Sequence, residues 1–362
     1  MTRTAITPLK AMMPKAFAPQ PVNSMYTPSF TYTYPGKLNL DLIKPIQIAV
    51  PALSDLFTII QGVRCGEYLH YINPLTSVLT KPTGTCEPTY TQAGTITDRR
   101  LETAPFVINL EWCEEEFNAV CTALTEKYTS QGVDAYELQA NLQSIIFEQV
   151  LETAQRDIIK IIFMGDNSLG SGSTNIYSAI DGVFTKFFDS QTAYCVKTVS
   201  NAFPNTHNSS LSADQARDEL KRNFDQANIR LKSLPASQKS FWVTQSVWEN
   251  YYTSVLENCC NEGSWQAGQD GIGTLRYRGI ELIPLPIIDD ALENEASNPW
   301  YDEIRHFVIY TSKSNHYVGV ERSSDLNNLT SCFDCRTNSN LIKGRMRFGY
   351  NFAQCDLISW SK

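Results

Sequence analysis

Ile60-Gln-Gly-Val-Arg-Cys-Gly-Glu67 and Phe106-Val-Ile-Asn-Leu-Glu-Trp112 bracket a polar stretch far too long for an ordinary loop. Between them threonine recurs at Thr76, Thr80, Thr83, Thr85, Thr89, Thr91, Thr95 and Thr97, amid alternating polar and apolar residues. The alternation predicts a long two-stranded arm. An isolated hairpin is marginal in water, so such an arm is expected to find its missing contacts on another subunit.

Working outward toward the N-terminus, residues 1–40 hold Pro8, Pro14, Pro19, Pro21, Pro28 and Pro35 together with Tyr26, Phe30, Tyr32 and Tyr34. So many prolines forbid a helix interior or a central strand. Two readings stay open. One is an untethered tail; the other is an extended arm whose aromatic rings and Met12, Met13 and Met25 dock on another subunit, which the low charge favours.

Toward the C-terminus two helices are legible. From Asp134 to about Ile162, Leu138, Leu142, Ile145, Ile146, Val150, Ala154, Ile158 and Ile161 recur at steps of three and four, which predicts one buried stripe. Such a helix is about 40 Å long and can act as a spine. The second is expected to start at Ser212, capped with Gln215, and to run through Leu220, Phe224 and Leu231 until Pro235 stops it. Beyond it, Phe241-Trp-Val243 predicts a strand feeding a helix with Val247, Tyr251 and Val255. Leu275 to Pro286 reads as one strand with a glycine break, Phe307–Tyr310 with Tyr317–Val320 as a hairpin, and Ile342–Trp360 as further strand. Without a regular βαβ rhythm, the fold class expected is α+β.

A chain of 362 residues with 42% hydrophobic content can build at least one real core. Its formal net charge of −8 argues against a protein that coats nucleic acid, because phosphate binding draws on Lys and Arg. The ten cysteines are scattered rather than dense and are read as mostly reduced, small apolar residues. No apolar run has the length of a signal peptide or a membrane span, so a soluble, cytosol-made protein is expected.

Chemistry is sparse. Gly165-Asp-Asn-Ser-Leu169 superficially resembles a serine-hydrolase block, with Asp166 and Ser168 as candidates, but no base follows. His70, His207, His306 and His316 are too dispersed for a ligand set. Cys332-Phe-Asp-Cys335 is a single CxxC whose ordinary meaning is two packed thiols. Glu114, Glu115 and Glu116 form a charge run, commonly a solvated helix start. No phosphate loop or dinucleotide fingerprint occurs. No catalytic, metal or cofactor site is therefore expected.

The order of the parts carries a resemblance: an extended N-terminal arm, Ile60–Glu67 opening a long hairpin, a spine helix ending in Ile162-Phe-Met-Gly-Asp166, then Ile180-Asp-Gly-Val-Phe184 and Tyr277-Arg-Gly-Ile-Glu-Leu-Ile-Pro-Leu-Pro286. In this order the chain resembles a major capsid protein of a tailed bacteriophage, with the Hong Kong 97 phage fold. The resemblance implies an N-terminal arm at 1–45 and an extended loop at 66–112. It implies a peripheral domain at 46–65, 113–175 and 322–362, with the spine at about 134–163, and an axial domain at 176–321. It implies hexamers and pentamers in an icosahedral head shell of the virion, made in the host bacterial cytoplasm. The partners implied are a separate scaffolding protein, a portal, decoration proteins and packaged DNA held without tight specific binding. Some relatives join a loop lysine to an asparagine of the next subunit; Lys81, with Asn338, Asn340 or Asn351, would be the residues here. Two other readings stand beside the shell subunit: an encapsulin-like nanocompartment that captures cargo peptides, and a hydrolase using Asp166 and Ser168.

Overall fold

The computed structural model describes residues 51–64, 66–72, 79, 96–113, 135–170, 175–192, 196–199, 203, 210–257, 265–267, 273–322, 329–334 and 339–362. The proline-rich arm, the middle of the long loop, Lys81, the Glu114–Glu116 run, His207, Cys335 and Asn338 lie outside them. The chain divides into two compact units.

The described part of the smaller unit holds residues 107–113, 135–147, 329–334 and 339–344. Here β12 (Leu329–Asp334) pairs antiparallel with the start of β13 (Ser339–Phe352), Thr330 opposite Lys343. The Ser339 hydroxyl donates to the Glu111 carboxylate at 2.6 Å. Glu111 belongs to β4 (Ala104–Cys113).

The larger unit is built on a seven-stranded mixed sheet. Its strands are β5 (Lys197–Thr198), β6 (Lys239–Val243), β7 (Trp265–Ala267), β8 (Gly273–Tyr277), β9 (Ile280–Pro284), β10 (Val308–Ser312) and β14 (Ile358–Ser361), in the spatial order β5-β14-β10-β6-β9-β8-β7. All residues of β6, β10 and β14 are buried, as central strands covered on both faces must be. On one face Phe241 and Tyr310 stack at 4.5 Å, with Leu220, Leu231, Val247 and Leu282 packed into the same cluster. A second group of strands joins β1 (Thr58–Gln61), parallel to β11 (His316–Val320), which pairs antiparallel with Phe348–Phe352 of β13. Phe57, just before β1, meets Phe163, Trp242 and Tyr350 edge-on at 5.4–5.8 Å, which makes it the aromatic hub of the core.

The long helix expected from Asp134 runs Ala135–Met164. Within its described side chains Ala154, Ile158 and Ile161 are buried as the periodicity predicts, while Val150 is half-buried. Ile159, Ile162, Phe163 and Met164 are buried too, so the last turns are enclosed on more than one side.

Three expectations need correction. The helix from Ser212 is two helices, Gln215–Gln226 and Ile229–Ser233. Ala227 turns extended with ψ 152, and the Asn228 side chain accepts from the Arg230 amide at 3.0 Å, so a new N-cap interrupts the pattern before Pro235. Leu275 to Pro286 holds two antiparallel strands, β8 and β9, then a helix from Pro286 to Asn294. Arg278 and Gly279 between the strands have φ of 51° and 78°, the paired left-handed geometry of a tight hairpin turn. Finally β10 and β11 do not form a hairpin. The 3-10 turn Lys313–Asn315 sends them to different partners, and the Asn315 side chain grips both Gln354 N and Gln354 O at 2.8 and 2.7 Å.

Candidate functional site

A two-stranded ribbon stands where the sequence places the arm: β2 (Glu67–Ile72) and β3 (Ile96–Leu101) pair antiparallel, Tyr68 opposite Arg100 and His70 opposite Asp98. No further strand joins either edge among the described residues. Side chains alternate as the pleat requires. Along β3, Ile96, Asp98 and Arg100 are exposed, whereas Thr97, Arg99 and Leu101 turn inward. The outward face is mixed: Tyr68 is 55% and Ile96 68% exposed, and His70 Nδ1 lies 2.6 Å from Asp98 Oδ1. Such a face leaves apolar surface uncovered beside oriented polar groups, as a docking surface does.

The root of the ribbon is fixed rigidly. Leu101 is fully buried against Gly319, where an added Cβ would come within 2.9 Å of Leu101 Cδ2. At Gly349 an added Cβ would lie 1.7 Å from the Glu102 carbonyl oxygen, so only glycine admits the chain there. Asn351 Nδ2 donates to the Arg100 carbonyl at 2.7 Å, Thr103 Oγ1 donates to the Arg64 carbonyl at 3.2 Å, and Arg347 donates to that same carbonyl. The Arg99 guanidinium sits 4.4 Å over the Phe352 ring and donates to Cys355 Sγ at 2.6 Å. Cys355 is disulfide-bonded, one exception among cysteines expected to be mostly reduced.

The catalytic candidates separate into structural roles. Asp166 caps a 3-10 turn, its Oδ1 accepting from the Ser168 amide at 2.8 Å, and Ser168 is exposed. Gly165 just before it allows close packing, since a Cβ would meet the Ile180 carbonyl at 2.4 Å. A serine that the sequence did not single out meets His306: Ser246 Oγ lies 2.8 Å from His306 Nδ1. The neighbouring carboxylate, however, serves the backbone. Asp289 Oδ2 accepts from the Ser246 amide at 2.9 Å at the start of the helix Gln245–Glu257, and Asp289 also pairs with Arg305. Asp289 thus acts as a cap supplied from another element.

His316 is fully buried. Thr311 Oγ1, 2.7 Å from His316 Nε2, donates its own proton to the Leu357 carbonyl and so accepts from the ring. The Tyr350 hydroxyl then donates to Nδ1 at 2.7 Å. Burial pushes the His316 pKa down to about 3, and the ring is neutral. Lys160, Tyr177 and Glu295 form a second internal network: both the Lys160 ammonium and the Tyr177 hydroxyl donate to the Glu295 carboxylate. Burial raises the pKa of nearby Asp157, with Lys160 opposing it.

Among the described residues no group of three or more His, Cys, Asp or Glu could hold a metal ion. Cys332 is free and exposed rather than packed. Asn351 is buried with both side-chain ends engaged, Oδ1 accepting from the Phe352 amide at 2.9 Å, which makes it unsuited to joining a lysine of another subunit. No described helix is long and apolar enough to cross a membrane.

No family model matches the chain, and no curated protein matches it. Solved structures do. A protein of Gordonia phage Cozz aligns with a TM-score of 0.53 at 13% identity, over 90% of this chain and 90% of that one. A protein of Mycobacterium phage Che8 aligns with a TM-score of 0.50 at 11% identity, over 92% of this chain and 98% of that one. The capsid structure of cyanophage P-SCSP1u aligns at 0.48 with 13% identity, over 92% of each chain. At these identities the likeness is one of fold alone: this chain shares its fold with the proteins of phages Cozz and Che8.

Proposed function

We propose that the chain is a structural subunit that assembles with copies of itself into the icosahedral head shell of a tailed phage, in the manner of the Hong Kong 97 phage fold. The observation that carries this reading is the fold shared with the Cozz phage protein across 90% of both chains. The ribbon of β2 and β3 supports it, because a rigidly rooted pair of strands with no further strand on either edge among the described residues, and with an exposed Tyr68–Ile96 face, has more to gain from a neighbour than from its own chain. In this reading residues 66–112 are the extended loop, 134–163 the spine and 176–321 the axial domain. Residues 46–65, 113–175 and 322–362 make up the peripheral domain. Hexamers and pentamers form the shell in the virion, with a separate scaffolding protein, a portal and decoration proteins as partners and DNA packaged inside.

In this reading the subunit has no catalytic task, and Asp166 serves as the cap of a 3-10 turn. The encapsulin-like reading gains nothing from the likenesses to phage proteins. Sedimentation velocity of the purified protein, expressed with and without the scaffolding protein of its own genome, tests the proposal. Uniform fast-sedimenting shells are expected. Subunits that stay monomeric under every salt and crowding condition, with scaffold present, overturn it.

A further inference from the structure

Two surfaces of the larger unit carry opposite, incompletely neutralised charge. The first is the face of β13 beside the ribbon root. Arg345 is exposed and meets no carboxylate among the described residues. Arg347, two positions on and so about 7 Å along the same face, reaches the Arg64 carbonyl. Arg64 lies beside Arg347 and pairs with Glu321 at 3.4 Å. Three guanidinium groups thus share one carboxylate.

The second is the segment 286–303, which holds six acidic residues and no lysine or arginine. Arg305 pairs with Asp289 and Glu293, and Lys160 pairs with Glu295. Asp290, Asp302 and Glu303 form no ion pair among the described residues, and Glu303 is near enough to Lys362 to favour its charged form. Asp302 and Glu303 are exposed.

We infer that the Arg345 face of one copy docks on the Asp302–Glu303 face of a second copy, an inference that rests on the shell-subunit reading and names a contact within it. Two features favour a protein partner over nucleic acid. Glu321 lies among the arginines and would repel a phosphate backbone, and mixed charge of this kind fixes register between proteins. The chain's net charge of −8 also disfavours a polyanion, while it leaves a second copy of the same chain with a ready acidic face. Because the two faces differ, the contact is heterologous, and head-to-tail repetition gives rings of the kind a capsomer needs wherever its rotation closes.

Charge reversal tests this on the full chain. Arg345→Glu and Asp302→Arg, both exposed, are expected to leave the melting temperature unchanged and each to cut the yield of shells about tenfold or more. Combined in one chain they are expected to restore most of the yield. Single variants that assemble like the parent overturn the inference, as does a double variant no better than either single. Arg345→Glu shells that assemble normally but package less DNA overturn it in favour of a nucleic-acid contact. A parent that never assembles overturns the shell reading itself, and this contact with it, whereas a parent that assembles beside variants without rescue removes the contact alone.

Discussion

Gly349 lies so tightly against Glu102 that a Cβ at position 349 would stand 1.7 Å from the Glu102 carbonyl oxygen. One β-strand residue without a side chain therefore sets how the ribbon leaves the body of the subunit. Gly349→Ala must push the backbone of 102–103 away, at a cost of about 3 kcal/mol, the upper end for overpacking. Gly319→Ala meets the side-chain end of Leu101 at 2.9 Å, where a rotamer shift rather than a backbone shift makes room, and is expected to cost about 1 kcal/mol. Chemical denaturation of the two variants checks the order; equal costs would mean that the root is not held by Glu102.

Ile162 on the long helix is fully buried. Ile162→Asp places an unpaired carboxylate there, at a cost of several kcal/mol, comparable to the stability of a domain. Insoluble protein is expected from it, and soluble protein with about 1 kcal/mol lost from Ile162→Val. A folded, soluble Ile162→Asp protein would show that this stretch of helix is not enclosed.

His316 makes stability depend on pH. Its folded pKa of about 3 lies below the unfolded value near 6.5, so on acidification the unfolded chain takes the proton first and stability falls. From pH 6.5 to pH 5, above most of the carboxylate range, this residue alone removes about 2 kcal/mol. Denaturation midpoints across that window should fall for the parent and stay flatter for His316→Gln. Parallel curves for the two proteins would mean that His316 is not held neutral by burial.

The outward face of the ribbon separates folding from assembly. Tyr68 and Ile96 are more than half exposed, so Tyr68→Glu with Ile96→Asp should change the stability of the free subunit by about 0.5 kcal/mol or less. Shell yield should collapse in the same variant, read by sedimentation. Normal shells would show that this face is not part of an interface.

The ribbon and the long helix were legible in the sequence because each is written in local periodicity: alternation around Ile96–Leu101, and steps of three and four up to Ile161. What escaped was decided by distant partners. Phe307–Tyr310 and Tyr317–Val320 look like neighbours in a hairpin, yet β10 is claimed by β6 and β14, and β11 by β1 and β13. The break at Ala227 was hidden because Ala227 and the residues around it suit a helix; only the capping geometry of Asn228 divides the run. The roles of Gly349, Gly319 and Asn351 at the ribbon root had no local signal, since a glycine or asparagine in a strand does not announce which backbone it will meet. Ser246 and His306 stand far apart in sequence, and nothing in either stretch marks the contact.

Electron cryomicroscopy of the particles formed when the protein is expressed with its scaffolding protein tests the central claim most directly. The account predicts closed icosahedral shells in which the strands 67–72 and 96–101 of each subunit lie on a neighbouring copy with Tyr68 and Ile96 covered. Particles in which those strands stay solvent-exposed, or preparations holding only dispersed subunits, would contradict it.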